Sequence, residues 1–177
     1  MSGSVLYLMR HGKTDANIPG ILRDHKAEIP LNEVGKKEAR AVGEYLKEKE
    51  ILPNIYTSPS ERAKQTGEII SQIINAPLFV DYDLRSWDYG NLDLEEELIP
   101  FQKNWNRTPP DGEPYKVFAE RFRKCLAKYW LAREPKLLVT HSRNIYFLQW
   151  LVEELPEIPV NGEETGKLLD LKTKLKD

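Results

Sequence analysis

Apolar residues follow two rhythms along this chain. Short unbroken runs occur at Val5-Leu6-Tyr7-Leu8-Met9, Ile55-Tyr56-Thr57, Pro77-Leu78-Phe79-Val80 and Leu137-Leu138-Val139, each halted by polar or turn residues. Runs of this length with no alternation read as buried strands of a parallel sheet. Between them the apolar positions fall at helical spacing. Leu31, Val34, Ala39, Val42, Tyr45 and Leu46 give one apolar face to a helix of about Glu33 to Glu50, with Asn32 as its cap. Ser58 with Glu61 three residues on has the capping-box pattern, and Pro59 suits a first helical turn, so a second helix starts there and runs to about Asn75. Val117, Phe118, Phe122, Cys125, Leu126, Tyr129 and Trp130 mark a third over Glu113 to Leu131. Ser142 caps a fourth, about Arg143 to Glu154, and Gly166 to Leu171 reads as a final edge strand. Strands alternating with helices predict an α/β fold: a three-layer sandwich, with a mostly parallel central sheet and helices on both faces.

Two stretches lack either rhythm. Lys13 to Pro30 is a long connection, and connections of that length are often functional. Asp81 to Gly112 is irregular apart from a short helix around Leu94 to Trp105, and it carries Tyr82, Trp87, Tyr89, Phe101 and Trp105. Two readings stand side by side for it: a lid over a site, or a satellite hydrophobic cluster under a long loop. The expectation is therefore one domain over 1–177 with a lid-like insertion at about 81–112.

The strand ends carry the candidate chemistry. In open α/β sheets, ligands bind outside the carboxyl ends of the strands. The first run ends in Arg10-His11-Gly12, and the Lys136-to-Thr140 run ends in His141-Ser142. Of three histidines, two thus follow predicted parallel strands directly; the third, His25, reads as a loop residue. An imidazole nitrogen can attack phosphorus, and a guanidinium forks onto phosphoryl oxygens. Arg62 stands in the first turns of the second predicted helix, where free N–H groups already favour an anion. It has no acid four residues before or after it, which weakens the ordinary surface-pair reading. Asn17 and Arg23 are within reach from the long loop. Arg10, Lys13, Arg23, Arg62, Arg85 and Arg143 would favour an anionic substrate where they converge, although some are expected to be plain surface charges.

Composition narrows the classes. The 177 residues suffice for a real core, with 40% hydrophobic and 31% charged residues. A net charge of −2 gives no global field for nucleic acid or an anionic membrane. No run approaches a membrane span, and no signal-peptide pattern opens the chain. One cysteine, Cys125, excludes an intrachain disulfide framework, fits a reducing compartment and falls in the core stripe of its helix. No CxxC or HExxH spacing is present, so neither a metal nor another cofactor is expected. The expected location is the cytoplasm and the expected partner a small phosphorylated molecule.

Four stretches in order resemble the histidine phosphatase superfamily, in its phosphoglycerate mutase-like branch. Arg10-His11-Gly12-Lys13-Thr14-Asp15-Ala16-Asn17 is similar to R-H-G-x-T-x-x-N, and Leu31-Asn32-Glu33-Val34-Gly35 through Glu38-Ala39 to L-T-x-x-G-x-x-Q-A. Thr57-Ser58-Pro59 through Arg62-Ala63 to Gln65-Thr66 is similar to T-S-P-x-x-R-A-x-Q-T, and Val139-Thr140-His141-Ser142 to the second-histidine strand end. Asp111-Gly112-Glu113-Pro114 is similar to P-G-G-E-S. The resemblance implies a phosphohistidine on His11, phosphoryl binding by Arg10 and Arg62, and His141 as the second histidine. It implies that Asn17 supports the same pocket from the loop; with Arg23 and Ser142, Asn17 is a candidate substrate-binding residue.

The chain departs from the family pattern at Leu84-Arg85-Ser86, where L-R-E supplies a Glu that protonates the leaving oxygen. Ser86 and Ser142 occupy both places where the two branches put that acid. Asp88 is the candidate substitute, against the alternative that it caps the turn before Gly90. The resemblance thus implies a metal-independent phosphomonoesterase. Two alternatives stay open: a phosphoglycerate mutase-type transfer, and a weakly active or non-catalytic phosphate-binding module.

Overall fold

The computed structural model describes residues 5–17, 28–88, 90, 108–130, 134–153 and 169–171. These form one five-stranded sheet in the order β3-β2-β4-β1-β5. The strands are β1 (Leu6–Arg10), β2 (Asn54–Thr57), β3 (Leu78–Val80), β4 (Lys136–Thr140) and β5 (Leu169–Leu171). All pairings are parallel except β1 with β5, which is antiparallel and closes one edge. The helices are α1 (Glu33–Glu48), α2 (Glu61–Ile74), α3 (Tyr115–Trp130) and α4 (Ser142–Glu153). The three-layer α/β architecture read from the sequence is the one observed. Among the described residues no helix is long and apolar enough to cross a membrane.

Strand alternation splits the core into two sets. Leu6, Leu8 and Leu138 face α3 and α4, where Phe118, Phe122, Tyr129, Phe147 and Leu148 cover them. Met9, Ile55, Leu137 and Val139 face the other way, against Val42 and Leu46 of α1 and Ala63, Ile70 and Ile74 of α2. β4 is buried at every position because it has neighbours on both edges and helices on both faces, which is why its sequence does not alternate.

Several sequence-based boundaries shift. The buried face of α1 is Gly35, Ala39, Val42, Gly43 and Leu46, whereas Val34 and Tyr45 are half exposed. Small residues face inward because α1 packs closely on α2: a Cβ on Gly43 would stand 2.8 Å from Ile73 Cδ1. Val117 of α3 likewise faces solvent. Asn32 caps α1 as expected, accepting the Gly35 N–H at 2.9 Å. The cap position of α2 is Ser60, not Ser58, and the Ser60 side chain makes no capping bond there. α4 begins at Ser142, so the His141 carbonyl, which accepts the Ile145 N–H at 3.2 Å, occupies the cap position assigned to Ser142. The short helix expected at Leu94 to Trp105, most of the Lys13–Pro30 loop, and the tail lie outside the described residues.

Part of the expected insertion is visible at 81–88. A single 3₁₀ turn, Tyr82–Leu84, follows β3. Trp87 is buried in the α3 cluster and donates Nε1–H to the Glu113 carbonyl at 2.6 Å, while Tyr82 is exposed. Arg121 of α3 then clamps the segment. It forks onto Glu113 (Nε to Oε1 2.9 Å, Nη2 to Oε2 2.7 Å) and donates to the carbonyls of Asp83, Arg85 and Ser86 at 2.8, 3.2 and 3.4 Å.

The aromatic knot of α3 bears most of the packing on its face. Phe118 is fully buried, with ring centroids 5.5 Å from Phe147 and 5.6 Å from Tyr115. Phe118→Ala removes a ring whose place the neighbours cannot fill. It is expected to cost about 3–5 kcal/mol of unfolding free energy in urea denaturation.

Candidate active site

Neighbouring parallel strands bring the two imidazoles together. β1 and β4 pair in register, Arg10 opposite Thr140, and the ladder continues one bond further, from His11 N–H to the Thr140 carbonyl at 2.9 Å. Adjacent strands stand about 4.8 Å apart. The residues after them, His11 and His141, therefore face one another, with ring centroids 5.3 Å apart and planes at 65°. Both are buried, at 4% and 5% exposure.

β2 supplies the third side. Ser58 N–H donates to the Val139 carbonyl at 2.9 Å, which fixes Ser58 beside β4, and its Oγ lies 2.8 Å from His141 Nε2. One turn later Arg62, 9% exposed, donates Nε–H to His11 Nε2 at 3.2 Å. His11 Nδ1 lies 2.8 Å from the Gly12 carbonyl, which can only accept, so Nδ1 carries the proton. Both contacts select one tautomer, with the lone pair on Nε2.

Electrostatics keep that lone pair available. Burial away from water lowers the His11 pKa most, the Arg62 guanidinium lowers it further, the Gly12 carbonyl works against them, and Arg10 adds a smaller depression. The result is a pKa lowered to about 3. The imidazole is therefore neutral at physiological pH.

Backbone packing holds the loop that presents His11. A Cβ on Gly12 would stand 2.5 Å from the Gly35 carbonyl oxygen, and one on Gly35 would stand 2.1 Å from that of Lys13. Only glycine at both positions lets the loop lie flat on the start of α1. Hydrogen bonds complete the seat. Gly12 N–H donates to Thr66 Oγ1 (3.0 Å), Lys13 N–H to Glu38 Oε2 (2.8 Å), Asn32 N–H to the Lys13 carbonyl (3.0 Å) and Leu31 N–H to Gln65 Oε1 (2.9 Å).

The structure therefore joins His11, His141, Arg62 and, through its field on His11, Arg10. The other candidates stand differently. Asn17 accepts the Thr14 N–H on its Oδ1 at 2.8 Å and shapes the loop. Ser142 is the first residue of α4, directly after His141. Asp88 accepts the Gly90 N–H on Oδ1 at 2.9 Å, which is the turn-capping arrangement. Arg85 turns to Glu113 and to the Tyr82 carbonyl, away from the cationic cluster considered for it. Arg23 lies outside the described residues. Sequence reasoning gave no site role to Ser58, which read as a helix cap, nor to Thr66 and Gly35. Their signal was position: a hydroxyl directly after a strand end, a hydroxyl one turn after Arg62, and a glycine inside a helix.

Residues 6–162 match the family model of the histidine phosphatase superfamily, branch 1. The chain belongs to that superfamily. It is 35% identical over 147 residues to the phosphatase PhoE of Bacillus subtilis, covering 80% of this chain and 73% of that one. It is 31% identical over 176 residues to GpmB of Klebsiella pneumoniae, named for phosphoglycerate mutase, with 92% and 80% covered. Among solved structures, mycobacterial hydrolase 1 superposes with a TM-score of 0.76 at 20% identity, covering 97% of this chain and 98% of that one. A mycobacterial glucosyl-3-phosphoglycerate phosphatase solved with inorganic phosphate gives 0.67 at 22%, covering 86% and 80%. At those identities the structural likeness is one of fold.

The buried histidine of this superfamily member has a consequence for stability. Unfolded, its imidazole titrates near 6.5; folded, near 3. Between those values the unfolded chain binds the extra proton, so the His11 contribution to stability falls as pH falls through that window. The loss is expected to reach about 3 kcal/mol at about pH 4, and His11→Gln should flatten that limb in urea titrations across pH. An unchanged slope in the variant would contradict the neutral, buried imidazole.

Proposed function

We propose that this chain is a phosphomonoesterase that works without a metal, passing the phosphoryl group through a covalent intermediate on His11 Nε2. The observation that carries this reading is the fixed lone pair on Nε2, set between a buried guanidinium and a second imidazole. A phosphoryl group entering here presents phosphorus to Nε2 and its oxygens to Arg62 and Arg10. Phosphoryl transfer asks little of a protein beyond in-line positioning and charge stabilisation on the equatorial oxygens. Two guanidiniums and His141 meet that need. Nε2 forms the N–P bond as the P–O bond to the leaving group breaks. Water then attacks the phosphohistidine, the N–P electron pair returns to Nε2, and inorganic phosphate departs.

The relatives named as phosphatases and as phosphoglycerate mutases leave two fates for the phosphohistidine, transfer to water or to a second hydroxyl. Ser86 favours water, since a mutase needs a proton relay at both transfers and a serine hydroxyl relays poorly at neutral pH. A coupled assay for exchange between 2- and 3-phosphoglycerate separates the two. The reading includes the cytoplasm: Cys125 is the one thiol of the chain, and burial pushes its pKa up to about 12, so it serves packing.

His11→Ala is expected to abolish phosphate release from p-nitrophenyl phosphate, and wild type quenched in alkaline denaturant should carry base-stable, acid-labile phosphate that the variant lacks. Equal release from both would remove the enzymatic reading. Arg62→Ala should lower kcat/KM by roughly 10²–10³-fold, the usual loss for one charge-stabilising donor. Turnover should survive a chelator and fall with vanadate; loss to EDTA restored by a divalent metal would count against the metal-free route.

A further inference from the structure

One short segment touches both imidazoles. It runs from Ser58, directly after β2, to Arg62 in the first turn of α2. At its far end Arg62 Nε–H donates to His11 Nε2 at 3.2 Å, and at its near end Ser58 Oγ lies 2.8 Å from His141 Nε2. The near end is anchored to the strand that carries His141, since Ser58 N–H donates to the Val139 carbonyl at 2.9 Å. Pro59 confines the residue before it to extended backbone. Ser58 is also fully buried. Backbone and packing together set its hydroxyl against the His141 ring.

The two rings meet different chemistry. His11 faces the Gly12 carbonyl, which can only accept, and the Arg62 guanidinium, which can only donate, so its protons have one arrangement. At His141 Nε2 the partner is a hydroxyl, which donates through its proton or accepts through a lone pair. The Ser60 N–H reaches the same Oγ at 3.5 Å, and a hydroxyl has capacity for both contacts. Ser58 can therefore serve the ring with or without a proton on Nε2, and the ring keeps its place in either state.

We infer that Ser58 is a positioning residue for phosphoryl transfer, holding His141 at a fixed place relative to His11 through the hydrogen bond between Oγ and Nε2. This deepens the phosphatase reading and rests on it. Arg62 positions the first ring and Ser58 the second, and the turn between them ties the two positions together. The guanidiniums of Arg62 and Arg10 supply the charge that binds phosphoryl oxygens. The aim of His141 matters most as charge shifts on those oxygens during transfer, and a misplaced group is then costly. Loss of the Ser58 hydroxyl should accordingly slow the transfer more than it weakens substrate binding.

The test compares the unaltered chain with Ser58→Ala, Ser58→Thr and Ser58→Cys on p-nitrophenyl phosphate. Ser58→Ala should lower kcat by roughly tenfold to 10²-fold, the range for one buried hydrogen bond, with little change in KM. Ser58→Thr keeps the hydroxyl and should regain most of that loss, whereas Ser58→Cys, whose thiol is a weak partner, should not. Long-range proton–nitrogen spectra of the imidazoles, recorded without substrate, give a second readout. In Ser58→Ala the His141 Nε2 resonance should move, while His11 keeps the pattern of an Nδ1–H tautomer. Undiminished kcat in Ser58→Ala, a loss carried by KM alone, full activity in Ser58→Cys, or an unmoved His141 Nε2 resonance would overturn the inference and leave the phosphatase reading intact. Should Ser58→Thr fail to fold, Ser58→Ala and the spectra decide the matter. No turnover by the unaltered chain would overturn the phosphatase reading and the role in transfer with it, while the spectra would still show whether Ser58 holds the ring.

Discussion

Parallel pairing of β1 with β4 is the constraint on which the site depends. In a parallel ladder, strands that start level end level, and the register of Arg10 with Thr140 puts the residues after both strands side by side. The bond from His11 N–H to the Thr140 carbonyl locks that relation at the last rung. β2, on the other edge of β4, brings Ser58 to the same level. Three chain segments far apart in sequence thus converge through backbone hydrogen bonds, before any side chain has chosen a partner.

The environment of His11 illustrates how burial tunes an imidazole. An exposed imidazole is partly protonated near neutral pH and turns freely. Here desolvation and Arg62 hold it neutral, and the Gly12 carbonyl fixes which nitrogen bears the proton. The cost of burying a guanidinium beside it is offset by the Nε bond to the imidazole and by the positive field that a dianionic phosphoryl group would meet. The seat of the loop is made mostly of backbone. Gly12 and Gly35 lie in contact, and Thr66, Gln65 and Glu38 each spend a side chain on a loop amide. The stretches that resemble the family are therefore largely scaffold, with few residues in direct reach of a phosphoryl group.

On the opposite face, Arg121 does comparable work for the segment from Asp83 to Trp87. A buried fork on Glu113 and three carbonyl contacts fix the backbone that presents Ser86.

The sequence by itself determined the element order, the parallel sheet, and the placing of Arg10, His11 and His141 at strand ends, because unbroken apolar runs and the polar residues that stop them are local signals. It also marked Arg62 by its position near a helix start. Helix faces were misread at Val34, Tyr45 and Val117, since spacing alone does not tell which side meets a close-packed neighbour. Ser58 read as a cap because the capping box is a local pattern, whereas its actual partner, His141, lies across the sheet. The tautomer of His11, its lowered pKa and the contact of Gly12 with Gly35 were decided only by the tertiary structure. Each depends on distances between segments remote in the chain, and only strand register and layer packing fix those distances.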